Sequence, residues 1–134
     1  MIIKSEQEML KAGENFAKRI IPPAVIELIG DVGAGKTTFT RGIATGLNIT
    51  ESVTSPSFTI SKTYALPKRG CLIHYDFYRL KDPGIMLEDI SENLKNPHNI
   101  IIVEWGESVA NILPANRTII KIKYKDDNSR EITI

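Results

Sequence analysis

Eight consecutive residues, Gly30-Asp31-Val32-Gly33-Ala34-Gly35-Lys36-Thr37, satisfy the spacing G-x-x-x-x-G-K-[ST]. Each residue type there has a physical job. Glycines let the backbone turn tightly and approach a ligand with no Cβ in the way. Successive N–H groups then point inward and form an anion-binding nest. A helix starting near Lys36 adds free N–H groups and the positive end of its dipole. Lys36 supplies a mobile cation suited to β- and γ-phosphates, and Thr37 a hydroxyl suited to Mg2+. The chemistry predicted is nucleotide phosphate binding on the loop from Gly30 to Thr37, with the glycines at Gly33 and Gly35, the backbone of Ala34, Lys36 and Thr37 lining it. The alternative is a glycine-rich turn that binds nothing.

Phosphate binding alone is not catalysis, which needs groups to hold a metal and orient water. Two acids stand where strands would carry them. In Cys71-Leu72-Ile73-His74-Tyr75-Asp76-Phe77-Tyr78, alternation places His74, Asp76 and Tyr78 on one face. An acid on such a face is costly unless it meets water, a partner or a metal. Asp76 is therefore a candidate magnesium anchor, against the alternative of a surface acid paired with Arg79 or a lysine. In Ile100-Ile101-Ile102-Val103-Glu104-Trp105, four apolar residues lead into Glu104. That puts Glu104 at the carboxyl end of a buried strand, where open α/β sheets bind ligands. Glu104 is expected to ligate magnesium, directly or through water, or to orient the attacking water. A strand-end acid facing solvent is the competing reading. Trp105 is read as packing against the nucleotide or covering the site, with a core role equally open. His74 reads more readily as a hydrogen-bonded structural residue than as a catalyst, and His98, in a polar stretch, carries no assignment.

The elements that must position these residues can be read from periodicity and breakers. Ser5 with Glu8 is a capping-box signal. Met9, Ala12, Phe16, Ala17 and Ile20 follow at helical spacing, which predicts a helix over 6–19 ended by Pro22 and Pro23. Residues 25–29 predict a buried strand stopped by Gly30, and 36–47 a helix. Residues 50–56, rich in Ser and Thr, predict a loop. Segments 58–65 and 71–78 predict two strands joined by a turn at 67–70. A short helix is expected over 86–94 and a buried strand over 99–105. Alternating polarity over 118–124 and 130–134, across Asp126-Asp127-Asn128-Ser129, predicts a C-terminal β-hairpin. This order suggests a three-layer α/β fold with a mixed, largely parallel sheet.

The sequence has 134 residues and a formal net charge of +1. The length fits one domain spanning 1–134 and leaves no room for a second substrate domain. The charge provides no general pull toward nucleic acid or membrane, which argues against unaided tRNA binding. Cys71 is the only cysteine, so no internal disulfide can form; it reads as a small buried hydrophobe, and a reducing compartment fits. The first ten residues lack an apolar core and a cleavage site, and the run Ile100–Val103 is far too short to span a bilayer. A cytoplasmic location is expected.

At this point the residues resemble one family, TsaE (formerly YjeE), the bacterial P-loop ATPases of tRNA threonylcarbamoyladenosine biosynthesis. The likeness rests on four blocks in order: Gly30 to Thr38, then Ser55-Pro56-Ser57-Phe58, then His74-Tyr75-Asp76-Phe77-Tyr78-Arg79, then Glu104-Trp105. The first is generic to P-loop proteins, while H-x-D-x-Y-R followed by E-W is specific. The family usually reads S-P-T-F, and Ser57 here keeps the threonine's hydroxyl without its methyl. The resemblance implies a P-loop NTPase-like fold that uses ATP and Mg2+. Lys36 and Thr37 would hold phosphates and metal, Asp31 and Gly33 to Thr38 would form the cradle, and Asp76 and Glu104 would complete the magnesium and water site. It also implies partners, TsaD and TsaB, which move a threonylcarbamoyl group onto adenosine 37 of tRNA. TsaE would meet tRNA only through them and support their turnover by hydrolysing ATP. ATP rather than GTP also agrees with the lack of an N-K-x-D pattern.

Two other functional classes fit the loop. A small-molecule kinase would share the loop and a strand-borne aspartate, but the chain is short and carries no arginine-rich lid to cover a transferring phosphoryl group. A nucleotide-gated binding module would use ATP to order residues 50–61 for docking, with hydrolysis incidental.

Overall fold

Parallel strands made largely of apolar residues must be covered on both faces, and two such segments, one interrupted by Glu27, lie side by side at the centre of one sheet. The computed structural model describes residues 1–56, 60–78, 80 and 82–134. Its strands are β1 (Ile2–Ile3), β2 (Ala24–Ile29), β3 (Ser61–Ala65), β4 (Cys71–Asp76), β5 (Ile100–Glu104), β6 (Thr118–Asp126) and β7 (Ser129–Thr133). They form a seven-stranded sheet in the order β1-β7-β6-β2-β5-β4-β3. The four central strands, β6, β2, β5 and β4, run parallel to one another. The pairings β1–β7, β6–β7 and β3–β4 are antiparallel, so both margins are hairpin-like. The sheet is mixed, with a parallel core, as expected.

Helices α1 (Glu6–Ala17) and α2 (Lys36–Gly46) lie on one face, and α3 (Met86–Leu94) on the other. Side-chain alternation sorts the core accordingly. Ile26, Leu28, Leu72, Ile100, Ile102, Ile120 and Ile122 meet Met9, Phe16, Phe39 and Ile43 of α1 and α2. Ile73, Tyr75, Ile101 and Val103 meet Ile90 of α3. These three layers match the expected architecture. The Tyr75 hydroxyl donates to Asp89 at 2.7 Å and accepts from Asn93 at 2.7 Å, which pins α3 to β4.

Local chemistry explains the element ends. Ser5 caps α1 by accepting from the Glu8 N–H at 3.1 Å, while the Glu8 carboxylate accepts the Lys4 N–H at 2.7 Å. The box is thus displaced by one residue on its return bond. The helix stops at Ala17, two residues before the expected end. Arg19 and Ile20 close tighter i−3 bonds onto Phe16 and Ala17 instead. The strand expected over 58–65 begins at Ser61, because Ile60 sits at φ 68° and cannot extend the ladder. Residues Ser57, Phe58 and Arg79 of the resemblance lie outside the described residues. β4 stops at Asp76 rather than Tyr78. Cys71 is half-buried at the start of β4, not fully buried. Two elements went unanticipated: β1, only two residues long, and a 3₁₀ turn over Gly106–Val109. Among the described residues no helix is long and apolar enough to cross a membrane.

The helix α1–α2 contact depends on glycine. A Cβ at Gly42 would overlap the carbonyl oxygen of Leu10 and come within 3.0 Å of the Gly13 Cα. Alanine normally stabilises a helix interior by about 0.5–1 kcal/mol relative to glycine. Here the backbones touch, so overpacking wins. Gly42→Ala should lower unfolding free energy by about 1–3 kcal/mol, as read by urea denaturation. An unchanged or raised stability would show that the two helices can part without cost.

Candidate active site

The loop after β2 is shaped by its glycines. Gly33 lies at φ 80° and Gly35 at φ 114°, in the left-handed region. Added side chains would also displace neighbours: a Cβ at Gly35 would sit 2.8 Å from Met9 Cε, and one at Gly33 2.8 Å from the Tyr124 hydroxyl, each the outer end of a side chain. Within the loop the Ala34 N–H donates to the Asp31 carbonyl at 3.0 Å, and helix α2 begins with Phe39 N–H on the Gly35 carbonyl at 2.9 Å. Gly35, at the N-cap, offers no side chain to satisfy the first amides of α2. Those N–H groups are left for an anion, where the helix dipole also favours one. The Tyr124 hydroxyl donates to the Val32 carbonyl at 3.3 Å, tying the loop tip to β6.

Lys36 is buried, and its ammonium folds back onto its own loop. Nζ donates to the carbonyls of Gly30 at 2.5 Å and Asp31 at 3.0 Å. It lies 3.9 Å from Glu104 Oε1 and 5.0 Å from the centre of the Trp105 ring. A buried ammonium needs such partners, and all of them are within a side chain's swing of the loop's interior.

The acids reach this place through strand register. β4 and β5 pair in parallel with Asp76 opposite Glu104, and His74 opposite Ile102. Asp76, His74 and Glu104 share the face that carries α2. Glu104 is 3% exposed and His74 fully buried, with His74 Nε2 2.5 Å from Glu104 Oε2. Asp76 accepts the Tyr78 N–H at 2.9 Å on Oδ1. Burial pushes the Asp76 carboxyl above the usual carboxylate range, and the neighbouring Glu104 charge adds to this. The Tyr78 hydrogen bond and the charges of His74 and Lys36 pull the other way. After Glu104 the chain turns through Trp105 at φ 55°, an uncommon conformation for a bulky residue. That turn brings the indole against Tyr78, ring centres 4.8 Å apart, and over Lys36.

A cleft of about 450 Å³ gathers most of the expected residues: Gly33, Gly35, Lys36, Thr37, Thr38, Asp76, Glu104 and Trp105, together with Val32, Ser55 and Tyr78. Trp105 is thus a cleft wall as well as a half-buried packing residue. Ala34 is buried behind the loop. The Asp31 side chain is exposed and meets none of these groups; its part in the loop is its carbonyl. Residues 50–56 form the expected irregular segment. Arg41 holds it by donating to the Val53 carbonyl at 3.3 Å, and Ser55 reaches the cleft.

The donor set fits Mg2+. One threonine hydroxyl and two carboxylates are hard oxygen donors. Among the described residues no group of three or more His, Cys, Asp and Glu side chains could hold a metal ion by itself. Sequence reasoning did not find a second cavity on the other side of the loop, lined by Ser5, Glu6, Met9, Asn128 and Arg130 with Gly33 and Gly35. Its only signals were the α1 cap and the polar hairpin turn, each of which already had a structural explanation. It also missed the contact between His74 and Glu104, which lie 30 residues apart in sequence.

A sequence model described as "Threonylcarbamoyl adenosine biosynthesis protein TsaE" matches residues 3–132. The tRNA threonylcarbamoyladenosine biosynthesis protein TsaE of Bacillus subtilis is 44% identical over 122 residues, covering 88% of this chain and 71% of that protein. The protein of the same name from Treponema pallidum is 33% identical over 133 residues, covering 99% and 97%. The crystal structure of Bacillus subtilis YdiB superposes with a TM-score of 0.80 at 36% identity, covering 98% of this chain and 80% of that one. The chain belongs to the TsaE family.

Proposed function

We propose that this chain binds ATP with Mg2+ and hydrolyses it in the cytoplasm, in support of a TsaD–TsaB complex that threonylcarbamoylates adenosine 37 of tRNA. The observation that carries the reading is that the loop amides, Lys36, Thr37, Asp76 and Glu104 meet in one cleft. Family membership supports the pathway.

In this reading the amides of Gly33 to Thr38 hold the phosphate chain. Lys36 leaves the Gly30 and Asp31 carbonyls for the β- and γ-phosphates, exchanging two neutral acceptors for charged ones. The Thr37 hydroxyl and the Glu104 carboxylate hold Mg2+, with Asp76 beside them. When bound, the ion neutralises charge developing on the phosphate oxygens. Asp76 and Glu104 also accept hydrogen bonds from water and so orient a nucleophile in the cleft. The cavity by Ser5 and Arg130 has the place and the mixed lining for the nucleoside. Trp105 and Tyr78 shield the cleft from solvent. The chain has no strong net charge to attract tRNA, so the partners carry that contact. Groups from the partners can complete the site in trans, which is why hydrolysis by the chain alone is expected to be slow.

One feature favours a second, gating reading. Ser55 lines the cleft from an irregular segment that Arg41 holds through the Val53 carbonyl. ATP binding alone would then order this segment for docking. Glu104→Gln separates the two readings: it should stall both hydrolysis and partner turnover here, and stall only hydrolysis if gating suffices.

Replacing Lys36 by alanine should weaken Mg-ATP binding about ten- to a hundredfold, the loss expected for charge-assisted hydrogen bonds of roughly 1.5–3 kcal/mol. Calorimetry showing unchanged affinity would remove the loop from the account. Added to TsaD, TsaB, threonylcarbamoyl-adenylate and tRNA, the wild-type chain with ATP should increase repeated turnover. Product formation that is indifferent to the chain or to ATP would refute the pathway role. Asp76 gives a pH prediction. Its folded pKa lies above its unfolded value, so ionisation opposes folding. The penalty is absent at low pH, where Asp76 is protonated in both states, and grows as pH rises through the unfolded and then the folded value. Without ligand, Asp76→Asn should therefore melt higher than wild type at pH 7 and no higher at pH 3. A lower melting temperature at pH 7 would show the carboxylate to be stabilising.

A further inference from the structure

We infer that His74 is the positioning residue for Glu104: its Nε2–H holds one carboxylate oxygen so that the other is left facing the metal position beside Thr37. The inference rests on the magnesium reading above and adds to it a residue that the reading does not use. A strand histidine of this kind more often fills a structural niche. Its surroundings here decide otherwise.

His74 is fully buried, between Leu72 and Asp76 on the α2 face of the sheet. Its Nε2 lies 2.5 Å from Glu104 Oε2. A carboxylate oxygen only accepts, so the ring nitrogen donates. His74 Nδ1 is buried and has no hydrogen-bond partner among the described residues. A histidine placed to satisfy itself would use both nitrogens. This one directs its single polar contact at Glu104.

The two oxygens of Glu104 have different neighbours. Oε2 has the imidazole, and Oε1 has the Lys36 ammonium at 3.9 Å. Phosphates draw Lys36 away, because charged acceptors outbid the neutral carbonyls it now uses. A buried carboxylate held by Lys36 alone would be free to follow that cation. The bond from His74 prevents this. It fixes the Glu104 rotamer, leaves Oε1 open when Lys36 departs, and keeps Oε2 satisfied although buried. Partners of this kind orient metal-binding groups, and their loss typically costs ten- to a hundredfold in metal affinity.

The test is the magnesium increment, the ratio of ATP affinity with Mg2+ to that in EDTA, measured by calorimetry on the intact chain. His74→Leu removes the donor and keeps an apolar side chain in the space. It should reduce the increment about tenfold and leave affinity in EDTA within about twofold of wild type. His74→Gln carries an N–H at the reach of Nε2 and should restore most of the increment. His74→Asn, too short to reach Glu104, should not. The Gln and Asn pair reads the same property if the leucine variant does not fold. Equal losses with and without Mg2+ in the leucine and asparagine variants would overturn the inference in favour of a structural role. A wild-type increment in those variants would overturn it as well. If the wild-type chain binds ATP equally with and without Mg2+, or if Glu104→Gln keeps the increment, the magnesium reading itself fails and takes this one with it.

Discussion

A carboxylate buried at the end of the central sheet is the constraint that the rest of the structure serves. Glu104 emerges from four apolar residues with 3% of its surface exposed. An unpaired charge in such a place is very costly. The fold meets this cost with one ammonium and one imidazole. Lys36 reaches in with a long side chain from the helix on one face, while the β4–β5 register delivers His74 from the neighbouring strand. Compensation is incomplete by design, because the Lys36 contact at 3.9 Å is long.

The same reasoning explains why the phosphate loop is built from contacts behind it. The ammonium of Lys36 rests on the Gly30 and Asp31 carbonyls. The loop keeps its shape because Met9 of α1 presses on Gly35 and Tyr124 of β6 holds the Val32 carbonyl. α1 in turn is held to α2 by touching backbones at Gly13 and Gly42. Packing far from the cleft thus sets the direction of the amides inside it. Among the described non-glycine residues with positive φ, Asn48, Ile60 and Trp105, the latter two adjoin the site acids: Trp105 follows Glu104, and the Ile60 carbonyl accepts the Asp76 N–H. Such conformations persist where the surroundings over-determine them.

Much of this was legible in the sequence because local rules and tertiary placement agree. The buried strands β2 and β5, helix α3 and the C-terminal hairpin follow from apolar runs and turn residues. The cleft group Lys36, Thr37, Asp76, Glu104 and Trp105 follows from a loop spacing and from acids at strand ends. Contacts between distant segments stayed hidden. Nothing in the local pattern of Tyr124 says that its hydroxyl clasps a loop 92 residues earlier. His74 could be placed on the face of Asp76, but only the pairing of β4 with β5 shows that it meets Glu104 diagonally across the ladder. Asp31 enters the loop's hydrogen bonding through its carbonyl, which accepts from Lys36 Nζ and the Ala34 N–H, a backbone role that residue type alone does not show. The two-residue β1 had too little pattern to be seen at all.

The central claim is that the charges around Glu104 are arranged for a metal-bound polyphosphate. A crystal structure of the chain with Mg2+ and a non-hydrolysable ATP analogue tests it most directly. The account predicts phosphates on the amides of residues 33–38, Lys36 Nζ moved from the Gly30 and Asp31 carbonyls onto them, and Glu104 facing the ion. An analogue bound elsewhere, or phosphates in the loop with Lys36 still on those carbonyls and Glu104 turned away from the ion, would contradict it.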